Sequence, residues 1–168
     1  MPPSSLSHRP CEPGGPAKVG QWRCLLSATG IRGYLYGALN IKTGAICLDP
    51  AQQWNQDSFQ EHLRHLKAQW PGWHMVLFLD RGSPHRAKGS RKLAQKLGIE
   101  LRWLPVACPE LNPVEGLWRH LKGKALANRP TLWMEELMER ACRYIQSLSP
   151  VERLRKAGVL SGNFRLAT

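Results

Sequence analysis

The chain has 168 residues, and 42% of them are hydrophobic, which is an ordinary proportion for a single soluble globular domain. Lys and Arg number 24 against 12 Asp and Glu, so the net charge of +12 favours a nucleic acid as partner, although anionic membrane surfaces and ribosomal contacts select the same balance. No apolar run is long enough for a membrane helix or a signal peptide, which predicts a cytoplasmic protein. The cysteines lie far apart without a CxxC pair, so their spacing predicts neither a disulfide framework nor a structural zinc finger.

The first part of the chain divides into a leader and a β-hairpin. Residues 1–18 are rich in Pro, Ser and Gly, which predicts a disordered leader, with ordered structure beginning near Trp22. Residues 31–40 (IRGYLYGALN) alternate in polarity and are rich in aromatic and aliphatic side chains, and a turn at 42–44 follows. With residues 45–49 (AICLD), this pattern predicts an antiparallel hairpin.

Helices and strands alternate in the middle of the chain. Residues 55–70 predict an amphipathic helix, which Pro71 and Gly72 end. Its apolar face is formed by Phe59, Leu63, Leu66 and Trp70. Residues 75–79 are apolar without alternation, as expected of a strand covered on both faces. A helix over 84–97 and a short strand over 99–104 follow, and the inward positions of that helix are Ser90, Leu93, Ala94 and Leu97.

Two further helices are predicted, one beginning at Pro113 and one over 131–148. The first has an apolar face formed by Val114, Leu117, Trp118, Leu121 and Ala125. The order of elements predicts a mixed α/β fold, in which helices cover both faces of a central sheet whose first strands are antiparallel. We expect one domain over residues 19–148 and a C-terminal tail over 149–168.

Asp80 follows the buried strand directly, at the carboxyl end where open α/β sheets place ligands and catalytic groups. The residues after it, Arg-Gly-Ser-Pro, are also good turn formers, so the pattern fits either a catalytic carboxylate or a simple turn.

Glu115 lies in the first turn of the helix that begins at Pro113. With Asn112 as N-cap it occupies the position of a capping-box glutamate, and Arg119 stands four residues on for an ion pair. Taken alone, Glu115 is better explained as a cap. Together with Asp80, however, it offers the carboxylates from different elements that two-metal phosphodiester chemistry requires.

The segments LFLDRGSPH (77–85) and LPVACPELNPVEGLWRHLKGK (104–124) resemble the second and third conserved blocks of the mariner-like superfamily of DDE transposases, in its bacterial insertion-sequence branch. The 34 residues between Asp80 and Glu115 match the spacing of that superfamily, and YGALNIKTG (36–44) is similar to its second and third strands. The resemblance covers roughly residues 20–126.

The resemblance implies an RNase H-like fold in which Asp80 and Glu115 are catalytic and bind Mg²⁺ or Mn²⁺. It also implies a third carboxylate, an Asp on the first strand of the sheet. The stretch upstream of the match contains no Asp, and Asp49 and Asp57 fall in the wrong elements. We therefore expect a chain that corresponds to the downstream part of a transposase, from a split frame, a frameshift or a decayed element.

Basic residues near these carboxylates are candidates for contact with DNA phosphates. The resemblance places DNA along the helix after Asp80 and the helix that carries Glu115. The candidates are His85, Lys88, Lys92, Arg119, Lys122 and Lys124. A solvated basic face is the simpler alternative for the lysines and arginine, and a turn histidine without a catalytic role is the alternative for His85.

Other polar and aromatic residues are assigned to surface or core. His62 and His65 lie three residues apart on the polar side of a helix, and we expect both at the surface. Trp103, Trp118 and Trp133 fit inward positions, so we expect them in the core rather than as platforms for bases.

The sequence thus predicts a DDE endonuclease that cuts and joins transposon ends, acts on DNA at the nucleoid, assembles with itself or with an upstream transposase fragment, and has little activity alone. The alternative is a non-catalytic DNA-binding or assembly remnant that regulates full-length transposase. A basic α/β domain without a nucleic-acid role requires the PELNPVE block to have arisen by chance.

Overall fold

The computed structural model describes residues 17–28, 31–106, 111–126, 133–162 and 164. Five strands form one mixed sheet: β1 (Ala17–Ala28), β2 (Ile31–Asn40), β3 (Ile46–Ala51), β4 (Met75–Leu79) and β5 (Ile99–Trp103). Their order across the sheet is β3-β2-β1-β4-β5. The first three strands pair antiparallel, whereas β4 pairs parallel with both β1 and β5. The predicted mixed α/β fold with antiparallel first strands is confirmed.

Helices cover both faces of the sheet. They are α1 (Gln56–Gln69), α2 (Ser83–Arg86), α3 (Lys88–Lys96), α4 (Pro113–Leu121), α5 (Met134–Ser147) and α6 (Pro150–Lys156), with a π-helical turn over Lys122–Leu126 after α4. One core cluster joins α4, α5 and α6 to β1 and β2, and a second joins α1 and α3 to β2, β3, β4 and β5. A third, smaller cluster contains Val76, Phe78 and Leu104. Because β4 is buried at all five positions, it contributes to the interior on both sides. Among the described residues, no helix is long and apolar enough to cross a bilayer.

The structure adds a strand that the sequence pattern did not indicate. Strand β1 begins at Ala17, inside the leader expected for 1–18, and residues 1–16 lie outside the described part. It occupies the centre of the sheet, between β2 and β4. A first strand of the RNase H-like sheet is therefore present, and only its first two residues, Ala17 and Lys18, fall within the expected leader.

Two helical segments also differ from the expectation. The helix predicted for 84–97 is interrupted at Ala87, whose ψ of 136° is extended and separates α2 from α3. Part of the expected tail over 149–168 forms α6, which a capping box between Ser149 and Glu152 starts and whose Leu154 is buried in the core.

Two of the three tryptophan assignments are wrong. Trp118 is 2% exposed, as expected of a core residue, whereas Trp133 is 68% exposed and Trp103 is 36% exposed. Trp103 is the last residue of β5, beyond the part of the strand that Ile99 anchors in the core, and Trp133 precedes α5. Both therefore remain accessible to a partner.

Candidate metal and DNA site

Asp80 follows β4 at the carboxyl end of the strand, and its carboxylate is held in place by its neighbours. Its Oδ1 accepts a hydrogen bond from the Gly82 backbone N–H at 2.8 Å and lies 2.7 Å from Nδ1 of His85. The side chain is 40% exposed. A carboxylate that is oriented by two partners and still reaches solvent is suited to binding a metal ion.

His85 is held from behind by aromatic rings. Its ring is 1% exposed and packs edge-on against Trp54 at 4.9 Å and tilted against Phe59 at 4.6 Å, between ring centroids. With so little exposed surface, His85 is placed to orient Asp80, and the DNA contact expected for it from the sequence stays a prediction.

Glu115 lies in the first turn of α4 and is partly exposed. The side chain of Asn112 caps the helix by accepting a hydrogen bond from the Val114 N–H at 3.1 Å, as the sequence predicted. The Asn112 cap fixes where the helix starts and so where Glu115 lies on it, and Glu115 is partly exposed whereas Leu117 and Trp118 are buried.

Packing brings the start of α4 to the same side of β4 that leads to Asp80. Leu111, one residue before the N-cap, packs with Val76 and Phe78 of β4 and with Leu104. Position 80 continues the alternation of Val76 and Phe78, whereas Met75, Leu77 and Leu79 face α1. The residue that leads into the helix carrying Glu115 therefore contacts β4, the strand that Asp80 follows.

The first strand provides no carboxylate to this site. Strand β1, AKVGQWRCLLSA, contains neither Asp nor Glu. It runs parallel to β4 from Ala17 opposite Met75 to Gly20 opposite Phe78, and an extension of this register by two residues, beyond the paired stretch, would set Trp22 opposite Asp80. The acidic residue that the family resemblance implies for the first strand is therefore absent from the sequence of β1.

The basic candidates fall on two separate helices. Lys88 and Lys92 are exposed on α3, which packs with α1 and β5. Arg119, Lys122 and Lys124 are exposed on or just after α4, which packs on β1 and β2. Because these helices cover opposite faces of the sheet, the structure does not gather the predicted basic residues into one patch.

A basic pocket that the sequence did not single out lies next to Asp80. It has a volume of about 660 Å³ and is lined by Arg81, Ser83, Arg86, Ala87, Arg91 and Trp103. Three guanidinium groups and one partly exposed indole ring suit a phosphate and a base. In sequence these residues lie on α2, α3 and β5 and in the connections before α2 and α3, so only the positions of Arg81 beside Asp80 and of Trp103 at a strand end could have indicated them.

A second polar cluster, outside the Asp80 site, joins β3 to α1. His62 and His65 both contact Asp49 through Nδ1, with His65 at 2.8 Å, and the Cys47 thiol lies 3.6 Å from Asp49 Oδ2. His62 is fully buried, so its assignment to the surface is wrong, whereas His65 is half exposed. In the sequence, this cluster could have been indicated only by the short spacing between Cys47 and Asp49 and between His62 and His65.

Burial and hydrogen bonding set the pKa values in this cluster. Burial lowers the pKa of His62. Burial, and to a smaller extent the negative charge of Asp49, raise the pKa of the Cys47 thiol to about 12. Burial by itself would raise the pKa of Asp49, but hydrogen bonds from His62 and His65 outweigh it and lower that pKa. The cluster therefore holds a carboxylate, a neutral thiol and a neutral buried imidazole at neutral pH.

A family model and one curated relative match the sequence. The model described as DDE superfamily endonuclease matches residues 4–138. An uncharacterized protein, y4pE/y4sA of Sinorhizobium fredii (strain NBRC 101917 / NGR234), is 30% identical over 110 residues, which cover 65% of this chain and 79% of that protein.

Solved structures share the fold at low sequence identity. The catalytic domain of Mos1 transposase with raltegravir and Mg matches with a TM-score of 0.70 and 17% identity, over 86% of this chain and 78% of that one. The Mos1 strand transfer complex matches with a TM-score of 0.65 and 17% identity, over 95% of this chain and 44% of that one. The RNase H-like fold expected from the sequence is confirmed.

Proposed function

This chain belongs to the DDE superfamily endonuclease family, and from that premise we propose that it is a transposase domain that binds transposon-end DNA and divalent metal at Asp80 and Glu115. The reaction of such a site is in-line attack on a DNA phosphate, first by water and then by a 3′ hydroxyl. One observation carries the proposal: Asp80, held by His85 and Gly82, follows β4, and Leu111, just before the helix α4 that bears Glu115, packs against the same strand.

The donor set suits a hard cation. Two carboxylates offer the oxygen ligands that Mg²⁺ and Mn²⁺ prefer, and Mg²⁺ is often held by one or two carboxylates together with waters and substrate phosphates. The Mos1 catalytic domain has been solved with Mg and with Mn, which supports the same ion class here. The ion would neutralise charge that builds on the phosphoryl oxygens, while His85 keeps the Asp80 carboxylate oriented.

The lack of an acidic residue in β1 predicts weak catalysis by the chain alone. Two metal ions about 3.5 to 4 Å apart require carboxylates from several elements, and Asp80 with Glu115 supplies only two. We therefore expect metal capture and DNA binding without efficient strand transfer. The protein would act on DNA at the nucleoid in the cytoplasm.

A second candidate function follows from the same strand. A chain that binds transposon DNA but lacks the β1 carboxylate could act as a non-catalytic assembly partner, which pairs with itself, with an upstream fragment or with a full-length transposase and regulates it. The sequence AKVGQWRCLLSA of β1 is the observation that favours this role over autonomous cleavage.

The first test measures Mg²⁺ and Mn²⁺ binding by calorimetry on the wild-type chain and on Asp80→Ala and Glu115→Ala. We expect both substitutions to abolish or strongly weaken binding, because a shared site loses half of its carboxylates in either variant. Asp57→Ala is the matched control, since Asp57 is an exposed acid on α1. Equal metal binding by wild type and both site variants would refute the assignment.

A restoration experiment separates the two candidate functions. Trp22→Asp places a carboxylate at the β1 position whose extended register meets Asp80, and Gln21→Asp is the control on the opposite face of the strand. We expect Trp22→Asp to raise metal affinity and to produce Mg²⁺-dependent nicking of transposon-end DNA. If wild type cleaves as efficiently as Trp22→Asp, the weak-catalysis hypothesis fails.

DNA binding is tested at the basic pocket. Replacing Arg81 or Arg91 with Ala removes one phosphate contact, so the slope of log K against log salt should become shallower by about 0.9 per contact on duplex DNA. Trp103→Ala should weaken single-stranded DNA binding by about 1–3 kcal/mol if a base stacks there. Arg64→Ala is the control, because Arg64 is exposed on α1, away from the pocket. An unchanged salt slope in both arginine variants would exclude this pocket from the DNA interface.

A further inference from the structure

We propose that Cys47, Asp49, His62 and His65 form a structural binding site for a zinc-class transition-metal ion, separate from the Asp80 site. Cys47 and Asp49 lie two residues apart on β3, so their side chains share the face that packs on α1. His62 and His65 stand three residues apart on α1 and so share a helix face. Two elements thus present two donors each to a common point.

The distances suit a tetrahedral ion. One donor atom each from Cys47, Asp49 and His62 lies within 4.8 Å of the other two. Zinc bonds of about 2.0–2.3 Å imply separations of roughly 3.3–3.8 Å between donors, so shifts of about 1 Å or less complete the geometry. His65 contacts the other Asp49 oxygen at 2.8 Å from the half-exposed rim, where it can turn to become the fourth ligand.

The chemistry of the donors selects the ion. A thiolate and a carboxylate together cancel the two charges of Zn²⁺, and imidazoles complete a neutral site in a buried position. When the ion binds, the Cys47 thiol loses its proton to solvent as the sulfur–metal bond forms. Sulfur and nitrogen donors disfavour Mg²⁺, so this site and the two-carboxylate site at Asp80 discriminate between different ions.

Among the residues that the structure describes, this is the one group of three or more His, Cys, Asp and Glu donors close enough to share an ion. The donors do not have zinc-finger spacing in sequence, because they come in two pairs from a strand and a helix that the fold brings together. The Nε2 atom of buried His62 has no hydrogen-bond partner, so a cluster of hydrogen bonds alone leaves this ring incompletely satisfied.

The site would support the region behind Asp80. The His62 ring stacks on Tyr36 at 5.3 Å, Tyr36 stacks on Trp54 at 5.2 Å, and Trp54 packs edge-on against His85, which contacts Asp80. An ion that joins β3 to α1 would fix the base of this aromatic row. Its role is therefore structural, and the Asp80 carboxylate is not one of its ligands.

Cobalt substitution tests the site directly on the full chain. After dialysis against a chelator, Co²⁺ is titrated into wild type, and we expect one equivalent to give the visible and near-ultraviolet bands of tetrahedral cobalt with a thiolate ligand. Cys47→Ser should remove the thiolate band. Cys142→Ser, at the half-buried cysteine of α5, is the matched control and should keep it. Asp80→Ala should also keep it, which separates this test from the proposed function.

A second variant and a second readout guard against misfolding of Cys47→Ser. His65→Ala alters the half-exposed rim, and we expect it to fold and to bind Co²⁺ or Zn²⁺ at least about tenfold more weakly. One equivalent of Zn²⁺ should raise Tm in wild type and less in His65→Ala. A folded wild type that shows no thiolate–cobalt band, or a band of equal strength in Cys47→Ser, would overturn the proposal in favour of a hydrogen-bonded cluster without metal.

Discussion

Gly37 in β2 tests how the sheet positions the helix that carries Glu115. A Cβ atom at position 37 would lie 2.5 Å from Cζ2 and 2.7 Å from Cη2 of Trp118, and 3.4 Å from Cδ2 of Leu48. Ordinary carbon contacts lie near 3.5–4.0 Å, so Gly37→Ala requires the indole ring to retreat by about 1 Å. Trp118 is 2% exposed and belongs to α4, three residues after Glu115.

The expected cost follows from overpacking. Extra methyl groups in a well-packed core typically cost about 1–3 kcal/mol, because neighbours must leave their preferred rotamers. For a chain of this size, 1 kcal/mol corresponds to about 2–4 °C in Tm, so Gly37→Ala should lower Tm by about 2–12 °C. Displacement of Trp118 should also shift α4, and we expect weaker Mg²⁺ binding at Glu115 in the same variant.

Urea unfolding followed by circular dichroism measures the loss. Gly123→Ala is the control, because a Cβ at position 123 meets nothing within 4 Å, and its effect should stay within about 0.5 kcal/mol. Trp118→Phe in the Gly37→Ala background removes the colliding ring and should show favourable coupling of about 0.5–3 kcal/mol. The reasoning is refuted if Gly37→Ala is as stable as Gly123→Ala, or if the double-mutant cycle shows no coupling.

Three further predictions concern the C-terminal helix α6. Leu154→Ala should destabilise the whole domain by about 2–5 kcal/mol in urea unfolding, because Leu154 is 8% exposed and packs in the core. A loss below about 0.5 kcal/mol would mean that α6 does not pack on the rest of the domain. Arg153→Lys should lower the free energy of unfolding by about 1–3 kcal/mol in the same assay. The guanidinium donates to the carbonyls of Gly44, Ile145 and Gln146 at 2.9–3.1 Å, and an ammonium group cannot reach all three. An unchanged urea midpoint would contradict this prediction. Hydrogen bonds from the Ser149 N–H and hydroxyl lower the pKa of Glu152, so the stabilisation that Glu152 provides is present above its ordinary pKa of 4.5 and is lost as pH falls through the lowered pKa. The Tm difference between wild type and Glu152→Gln should therefore vanish in acid. A Tm difference that persists in acid would refute this assignment.

Local patterns were sufficient for the elements that carry the proposed metal site. The uniformly apolar run 75–79 predicted a strand buried on both faces, and β4 is such a strand. Asn112 and Pro113 predicted the start of α4, and the Asn112 cap is present. Both depend on neighbours within a few residues of sequence, which explains why they could be recognised without the fold.

Strand β1 shows where sequence patterns fail. Its residues AKVGQWRCLLSA do not alternate cleanly, and they follow a segment rich in Pro and Gly. The strand pairs with the neighbouring β2 on one side and with the distant β4 on the other. The pairing with β4 joins residues more than 50 positions apart in sequence, and no local propensity records it.

The sequence by itself determined the family resemblance, the buried strand that Asp80 follows, the capped helix bearing Glu115, and the basic charge that favours DNA. Only the tertiary structure decided that a first strand without a carboxylate occupies the centre of the sheet, that His85 is buried behind Asp80, and that Cys47, Asp49 and His62 meet between β3 and α1. The physical reason is the sequence distance over which each feature is determined. Helix caps and apolar strand runs depend on a few neighbouring residues, whereas burial and the convergence of side chains depend on which distant elements pack together.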